Sequence, residues 1–191
     1  MIKAVPPALI FILGAMLIPI LKGKLKQVYI LVVPAVALLD ILYLIPGTSW
    51  VYHFLGYDLI FCTVDRLSLV MGYIFTIIGF LAILYSLHVK QDGQHIAAFL
   101  YIGSSLGVVF AGDYFSLFAF WEIMAVASVF LIWFQKDKDS LNAGFRYILM
   151  HIFGGCCLLA GIIIYTVSKG SIDVAILDPA LPTGSYLLDL D

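Results

Sequence analysis

The sequence predicts an all-α integral membrane fold with about six transmembrane helices, and three observations lead to this prediction. Of the 191 residues, 63% are hydrophobic and 12% are charged, whereas soluble domains carry about 25% charged residues. The mean hydropathy is +1.10, which excludes a water-soluble globule. Six apolar runs reach the length of about 17 residues with which a helix can cross the hydrocarbon core. Helices are favoured because lipid offers no hydrogen-bond partner to an open backbone.

The apolar runs place the helices in order along the chain. The predicted helices span Val5–Leu21, Val28–Ile45, Leu67–Leu87, His95–Ala111, Tyr114–Phe134 and Phe145–Val167. The stretch Pro46–Val64 is expected to be an outer loop whose aromatic residues lie at the lipid headgroups. We therefore divide the chain into residues 1–64, with two helices and the outer loop, a core of helices 3 to 6 at 65–170, and a polar tail or the start of a continuation at 171–191.

The distribution of basic residues predicts the orientation in the membrane. Most of them follow helices 1, 3 and 5, at Lys22, Lys24, Lys26, Lys90, Lys136, Lys138 and Arg146. Cytoplasmic loops retain Lys and Arg, so we expect a multi-pass protein of the cell (inner) membrane with its N-terminus outside.

Composition and motifs also exclude several classes of function. Lysine and arginine total 10 against 12 acidic residues, so the chain lacks the basic field that binds nucleic acid. The three cysteines have no metal-ligand spacing and are interpreted as packing residues. No phosphate-binding loop or nucleophile motif is present, so we predict no cofactor, no metal and no catalytic site within this chain.

Glu122 is the candidate proton-carrying residue. It lies eight residues into predicted helix 5, or about 12 Å deep at 1.5 Å per residue, near the middle of the bilayer. An acid at this depth costs on the order of 2.5 to 3.5 kcal/mol to insert, and such residues commonly mark ion or proton paths. Its neighbours on the same helical face are apolar, so a partner must come from another helix or from water. The alternative is a protonated, hydrogen-bonded structural Glu.

His151 on predicted helix 6 is the second candidate for a proton relay, because histidine titrates near neutral pH. Counted from the predicted inner helix ends, His151 lies about 9 Å deep and Glu122 about 18 Å. A direct bond is therefore not expected, whereas a step through water is plausible on this geometry. The alternative, of equal weight, is a hydrogen bond from His151 to a neighbouring carbonyl.

Four more charged residues are candidates for supporting or capping roles. Asp40 and Arg146 are possible supporting residues, although Asp40 is shallow enough to reach the interface and Arg146 is first a topological anchor at the inner boundary. Asp65, before helix 3, and Asp113, in the break before helix 5, are expected to cap those helices. A carboxylate accepts hydrogen bonds from the free N–H groups of a first helical turn. We expect Asp113 to lie beside water, because the chain turns there.

Small residues predict a tightly packed bundle. Gly103 and Gly107 form a G-x-x-x-G on helix 4, and Gly154, Gly155 and Gly161 thin part of helix 6. Glycines at such positions let helix backbones approach closely.

Three stretches resemble the antiporter-like membrane subunits shared by Mrp-type cation/proton antiporters, respiratory complex I and membrane-bound hydrogenases. V-D-R-L-S-L at 64–69, with L-Y-S at 84–86, is similar to one family motif, and F-A-F-W-E at 118–122 is the most specific match. The run R-Y-I-L-M-H-I-F-G-G at 146–155 resembles helix 6 of the D-type subunits of Mrp antiporters and of their hydrogenase relatives. The resemblance covers roughly residues 64–171.

The resemblance implies that Glu122 pairs with a lysine on a seventh helix and that its proton occupancy is coupled to charge movement in neighbouring subunits. Family members have about fourteen helices in two inverted repeats, so we expect this chain to be a fragment or a split subunit. The leading interpretation is a proton-translocating subunit of the D type in a multisubunit monovalent cation/proton antiporter. Its expected partners are the lipid bilayer, other membrane subunits, protons and a monovalent cation.

Two alternatives belong to other classes of function. The same fold serves as the proton-pumping membrane arm of a quinone-reducing complex or a membrane-bound hydrogenase, with the redox centres on other chains. The second alternative is a scaffold that only packs against other subunits. Replacement of Glu122 by Gln separates transport from the scaffold role, because a scaffold would leave proton movement unchanged.

Overall fold

The computed structural model describes residues 5–54, 57–169 and 171–174. Within these residues the chain forms six α-helices and one β-hairpin, which confirms the predicted helical fold. In chain order the elements are α1 Pro7–Leu17, α2 Lys24–Tyr43, β1 Ser49–Phe54, β2 Tyr57–Thr63, α3 Arg66–Tyr85, α4 Asp92–Phe110, α5 Tyr114–Trp133 and α6 Lys138–Lys169. Two 3₁₀ turns, Ile18–Ile20 and Ser86–His88, extend α1 and α3.

Helix α1 is shorter than its predicted span. In the described part of the chain, five helices, α2 to α6, are long and apolar enough to cross a membrane. The first apolar helix covers only Pro7–Ile20 with its 3₁₀ turn. Pro19 lies within that turn, and proline lacks the backbone N–H that would continue the α-helical hydrogen bonds.

Helix α6 begins seven residues before its predicted start at Phe145. The Ser140 N–H donates to the Asp137 carboxylate at 2.6 Å, so the polar residues that follow Asp137 form the first helical turns. Hydropathy detects only the apolar part of such a helix. Arg146 therefore lies about two turns inside α6, and its place at the inner membrane boundary stays a prediction.

Helix α4 lies at the centre of the bundle and packs against α1, α3 and α5. The two glycines of its G-x-x-x-G contact different neighbours. A β-carbon on Gly103 would lie 2.8 Å from the β-carbon of Phe11 in α1, and one on Gly107 would overlap the Phe120 ring of α5. Close packing at this motif therefore joins three helices. Helix α6 packs against α5 and leaves most of its side chains exposed.

An antiparallel hairpin of β1 and β2 occupies the stretch that was expected to be a loop. Aromatic and β-branched residues in both strands favour an extended backbone. The Gly112 N–H donates to the Ile60 carbonyl at 2.9 Å, and the Val174 N–H donates to the Gly112 carbonyl at 3.0 Å. Backbone hydrogen bonds thus join the hairpin, the α4–α5 break and residues 171–174. Residues 175–191 of the predicted tail lie outside the described residues.

The two ends of the bundle differ in their residues. The hairpin end contains Asp65 and Asp113, which precede α3 and α5. The lysine end contains the first turns of α2 and α4, where Lys26 and Asp92 form an ion pair at 2.5 Å. Lys90 also lies at the lysine end, just before α4.

Candidate proton site

Glu122 lies in the middle of α5, eight residues after Tyr114 and eleven before Trp133. These counts place it about 12 Å from the hairpin end and about 16 Å from the lysine end of the helix. The side chain is half-buried, and its Oε1 atom is buried with no hydrogen-bond partner among the described residues. A buried carboxyl oxygen without a partner is costly, so this atom indicates a site where a proton or a further group is accommodated.

The Glu122 carboxyl group lies against Gly155 of α6. A β-carbon built on Gly155 would overlap Oε1 and would lie 3.4 Å from Cδ. Glycine therefore provides the space that the carboxyl group occupies between α5 and α6. The neighbouring Gly154 has no atoms within 4 Å of the equivalent position among the described residues, so the two glycines are not equivalent.

Glu122 also lines a cavity of about 470 Å³ between α4 and α5. The cavity extends from Glu122 to Gly93 and Phe134 at the lysine end. The other lining residues are apolar, among them Ile96, Leu100 and Val126. A volume of this size would hold several waters at about 30 Å³ each. Ordered water needs polar partners, and among the described lining side chains Glu122 is the one that offers polar atoms.

His151 is held in an aromatic stack. Its ring lies 5.9 Å from the Trp121 ring of α5, at an interplanar angle of 21°, and 5.8 Å from the Tyr147 ring, at 24°. The Ser128 hydroxyl donates to Tyr147 Oη at 3.0 Å, which links this stack to α5 again. The buried Nε2 of His151 has no hydrogen-bond partner within the described residues. The stack therefore fixes the ring, while Nε2 keeps no hydrogen bond to the described residues.

Both Glu122 and His151 lie at the interface between α5 and α6. His151 precedes Gly155 by one helical turn, or about 6 Å along α6 towards the lysine end. The structure records no direct hydrogen bond between the described side chains of Glu122 and His151. The two groups thus lie along one helix interface without a hydrogen bond between them.

The possible supporting residues lie away from Glu122. Asp40 is three residues from the end of α2 at the hairpin end, where it accepts a hydrogen bond from the Val5 N–H. Its Oδ2 is buried and has no partner in the described part of the chain. Burial and the nearby Asp40 carboxylate raise the pKa of the Cys62 thiol to about 12, so this thiol stays protonated. Arg146 is exposed on α6.

Asp65 and Asp113 occupy N-cap positions with different surroundings. The exposed Asp65 accepts from the Ser68 N–H at 2.5 Å, and these hydrogen bonds lower the pKa of its carboxyl group. Asp113 accepts from the N–H and the hydroxyl of Ser116, both at 2.7 Å. Asp113 is fully buried, because β2 and residues 171–174 pair with the adjoining backbone. The expectation that Asp113 lies beside water is wrong.

Two features of the site were not identified from the sequence. The stack of Trp121, His151 and Tyr147 depends on the register between α5 and α6, which no single helix reveals. The glycine pair after His151 indicated a thin part of α6, but the pair alone does not show which glycine contacts Glu122.

The prediction that all three cysteines are packing residues is correct for one of them. Cys62 is buried, whereas Cys156 and Cys157 are exposed on α6.

Comparison with known proteins identifies the relatives of this chain. A family model described as NADH:quinone oxidoreductase/Mrp antiporter, transmembrane, matches residues 111–187. The Na⁺/H⁺ antiporter subunit A1 of Staphylococcus aureus strain JH9 is 30% identical over 181 residues, which covers 84% of this chain and 22% of the relative. The subunit A1 of strain Newman matches equally. This chain thus spans about a fifth of the length of the curated relatives that it matches.

Solved membrane complexes contain the same fold. A chain of the Mrp complex from Dietzia sp. DQ12-45-1b has a TM-score of 0.80 at 24% identity, covering 91% of this chain and 20% of that one. A chain of an archaeal membrane-bound sulfane sulfur reductase has a TM-score of 0.78 at 23% identity, with coverages of 88% and 28%. Respiratory complex I from Thermus thermophilus contributes a chain with a TM-score of 0.78 at 18% identity, with coverages of 90% and 38%.

The sequence matches include the F-A-F-W-E segment around Glu122, because the family model spans α5 and α6. The structural matches show that the helices adopt the arrangement found in those complexes. On this evidence the chain is a homologue of the antiporter-like membrane subunits that Mrp antiporters and complex I share.

Proposed function

We propose that this chain is a proton-translocating membrane subunit of a multisubunit monovalent cation/proton antiporter, with Glu122 as the proton-carrying acid. The observation that supports this most directly is the unpaired Glu122 carboxyl oxygen in the middle of α5, beside Gly155 and a cavity that extends to the lysine end. Buried acids without partners inside membrane spans commonly mark proton paths. The curated relatives are subunit A1 chains, so we assign the chain to an A-like subunit rather than to the D-like subunit expected from the motifs.

The lysine end faces the cytoplasm in this proposal, which places the N-terminus outside. Lys24, Lys26 and Lys90 lie at that end, and cytoplasmic ends of membrane helices retain basic residues. The cavity beside Glu122 extends towards the same end, but its other described lining residues are apolar, so the proton route of this proposal runs through His151 instead. In this proposal the basic partner of Glu122 lies outside the described part of the chain, either on a continuation of it or on a second subunit.

His151 acts as the relay between Glu122 and the lysine end in this mechanism. Its free Nε2 can accept and release a proton, while the rings of Trp121 and Tyr147 hold its orientation. Replacement of His151 by Gln removes the titratable group and keeps a polar side chain. We expect slower proton movement with an altered pH dependence, while assembly of the complex is unchanged.

The decisive experiment replaces Glu122 by Gln in the complete complex, reconstituted in vesicles with a pH-sensitive dye inside. We expect cation-driven proton movement to be lost, because the amide is similar in size but cannot carry a proton. Asp139→Asn is the matched control, since Asp139 is an exposed acid in the first turn of α6 and should be replaceable. If the Glu122→Gln complex moved protons at the wild-type rate, that result would support the scaffold role and exclude a proton-carrying role for Glu122.

A second candidate is the proton-pumping membrane arm of a redox complex. The fold likeness to chains of the sulfane sulfur reductase and of complex I favours this alternative. A sodium or potassium gradient imposed without an electron donor distinguishes the two functions. Proton movement under that gradient supports the antiporter, whereas movement that needs an electron donor supports the redox complex.

A further inference from the structure

A series of polar side chains follows the interface between α5 and α6 from Glu122 towards the lysine end. Glu122 meets α6 at Gly155, and His151 lies one turn, or about 6 Å, closer to the lysine end. One further turn along α6, Tyr147 is hydrogen-bonded to Ser128 of α5. The cavity between α4 and α5 has no such series, because its described lining residues other than Glu122 are apolar. The polar way from Glu122 to the lysine end therefore follows the α5–α6 interface.

The side-chain oxygens of Ser128 and Tyr147 form a pair across this interface, which we call the hydroxyl pair. The Ser128 hydroxyl donates to Tyr147 Oη at 3.0 Å, and it has a second acceptor in the Ala125 carbonyl at 2.7 Å. A serine hydroxyl carries one hydrogen, so it makes one of these two bonds at a time. The Ser128 hydroxyl can therefore turn between two acceptors. A group that conducts protons must turn in this way after each transfer, so that it can receive the next proton.

A hydrogen bond between two membrane helices can also serve packing alone. Two observations indicate a further role for the hydroxyl pair. The Ala125 carbonyl is the nearer acceptor, so Ser128 does not need Tyr147 to satisfy its hydrogen. The ring that carries the Tyr147 hydroxyl stacks on the ring of His151, whose Nε2 has no hydrogen-bond partner among the described residues.

The hydroxyl pair lies close to the lysine end of the bundle. Ser128 is five residues before the last residue of α5, Trp133, which corresponds to about 7.5 Å along the helix. Arg146, next to Tyr147 in α6, is exposed, and the charged head of such a side chain stays in water. Side chains of a helix lean towards its N-terminus, which for α6 is the lysine end. Water at this end is therefore nearer to the hydroxyl pair than to Glu122.

We propose that the hydroxyl pair is the proton-uptake step between water at the lysine end and His151. The proposal rests on the proposed function, because it needs a proton path through His151 to Glu122. Nε2 of His151 takes the phenolic proton of Tyr147 through a water molecule. Tyr147 Oη takes the hydroxyl proton of Ser128 along the 3.0 Å bond, and Ser128 Oγ takes a proton from water.

The proton balance of this step is closed. One proton enters at Ser128 and one arrives at His151, and the transfers occur together, so neither hydroxyl is left charged. Both hydroxyl groups then turn back to their starting orientations. The Ala125 carbonyl accepts the hydrogen of Ser128 during this turn.

The test compares two variants of Ser128 in the complete complex, reconstituted in vesicles with a pH-sensitive dye inside. Ser128→Thr keeps a hydroxyl, whereas Ser128→Val has the shape of threonine without it. We expect Ser128→Thr to move protons at close to the wild-type rate and Ser128→Val to be slower by about tenfold or more. Tyr147→Phe keeps the ring and removes the hydroxyl, so its rate should fall by a similar factor. The double variant Ser128→Val/Tyr147→Phe should be no slower than the slower single variant, because the two hydroxyls act as one step.

Helix α4 provides matched controls for both positions. The Ser105 hydroxyl donates to the Ile102 carbonyl at 2.8 Å, as Ser128 does to Ala125, but no bond to a second helix is recorded for it among the described residues. Tyr101 is 40% exposed, as Tyr147 is. Ser105→Val and Tyr101→Phe should therefore keep the wild-type rate.

Glu122→Gln in the same vesicles separates this proposal from the proposed function. If Glu122→Gln loses proton movement while Ser128→Val and Tyr147→Phe keep the wild-type rate, the hydroxyl pair is excluded and the proton role of Glu122 stands. Wild-type proton movement in Glu122→Gln overturns both. Equal rates of Ser128→Thr and Ser128→Val also overturn the step at the hydroxyl pair, because the hydroxyl would then have no effect. Unchanged unfolding temperatures verify that folded variants are compared.

Discussion

The carboxyl group of Glu122 in α5 lies in the space that a β-carbon of residue 155 in α6 would fill. The clash would involve the far end of a flexible side chain, so the backbone does not need to move to relieve it. Gly154, one residue earlier, has open space at the same position in the described structure. These adjacent glycines therefore provide a matched pair of substitutions for the proton site.

Gly155→Ala is expected to slow proton movement without unfolding the chain. The new methyl group displaces the Glu122 carboxyl from its place, while alanine in a helix gains up to about 1 kcal/mol over glycine. The measurement is proton movement by the reconstituted complex, together with the thermal unfolding temperature of the variant.

Gly154→Ala is the control for this prediction, because it adds the same methyl group to open space. Glu122→Asp on the Gly155→Ala background shortens the acid and should restore part of the activity. Equal activity of Gly155→Ala and Gly154→Ala would show that the contact with Glu122 has no functional importance.

Gly103→Ala is expected to destabilise the bundle by about 1 to 3 kcal/mol, the usual cost of overpacking. Its methyl group would lie 2.8 Å from the Phe11 β-carbon and 3.1 Å from the Ala8 carbonyl oxygen, neither of which can rotate away. Gly161→Ala meets no described atom within 4 Å and should be neutral or stabilising. Unfolding of the isolated chain in mixed micelles measures the stability of both variants. Equal stability of Gly103→Ala and Gly161→Ala would contradict the close packing of α1 against α4.

Asp113→Ala is expected to cost more stability than Asp65→Ala, although both aspartates cap helices. Loss of an exposed cap costs about 1 kcal/mol. Removal of Asp113 also leaves the buried donors of Ser116 without an acceptor, at about 1 to 3 kcal/mol for each. Chemical unfolding of the two variants compares these costs. A smaller loss for Asp113→Ala would mean that water reaches Ser116.

The stability contributed by Asp65 is expected to depend on pH. Hydrogen bonds from Ser68 lower the pKa of Asp65 in the folded state, so the contribution is complete above the unfolded value of about 3.9. It is lost as the pH falls through the lower, folded value. Asp65→Asn still accepts a hydrogen bond but does not titrate. Between about pH 5 and pH 2 the unfolding temperature of the wild type should therefore fall more steeply than that of Asp65→Asn. Parallel curves of unfolding temperature against pH would contradict the role assigned to Asp65.

The helices and the position of Glu122 along α5 were predictable because the energies that favour a membrane-spanning helix act within a single segment of the chain. The cost of exposing backbone to lipid requires long apolar runs, and the apolar runs of α3, α4 and α5 agree with the observed helices to within three residues. The start of α6 was missed because hydropathy does not detect polar helical turns after Asp137. The hairpin was missed because strands beside a membrane bundle obtain their stability from backbone bonds to distant residues such as Gly112.

The sequence alone determined that this chain lies in a membrane as a set of helices and that α5 carries an acid in its middle. The tertiary structure decided which residues surround that acid. Whether Gly154 or Gly155 meets Glu122, and whether His151 stacks on Trp121, depends on the rotation and register of α6 against α5. Packing across the whole interface determines that register, for example Trp133 against Gly144 and Tyr114 against Tyr165, and this information is not contained in the periodicity of either helix.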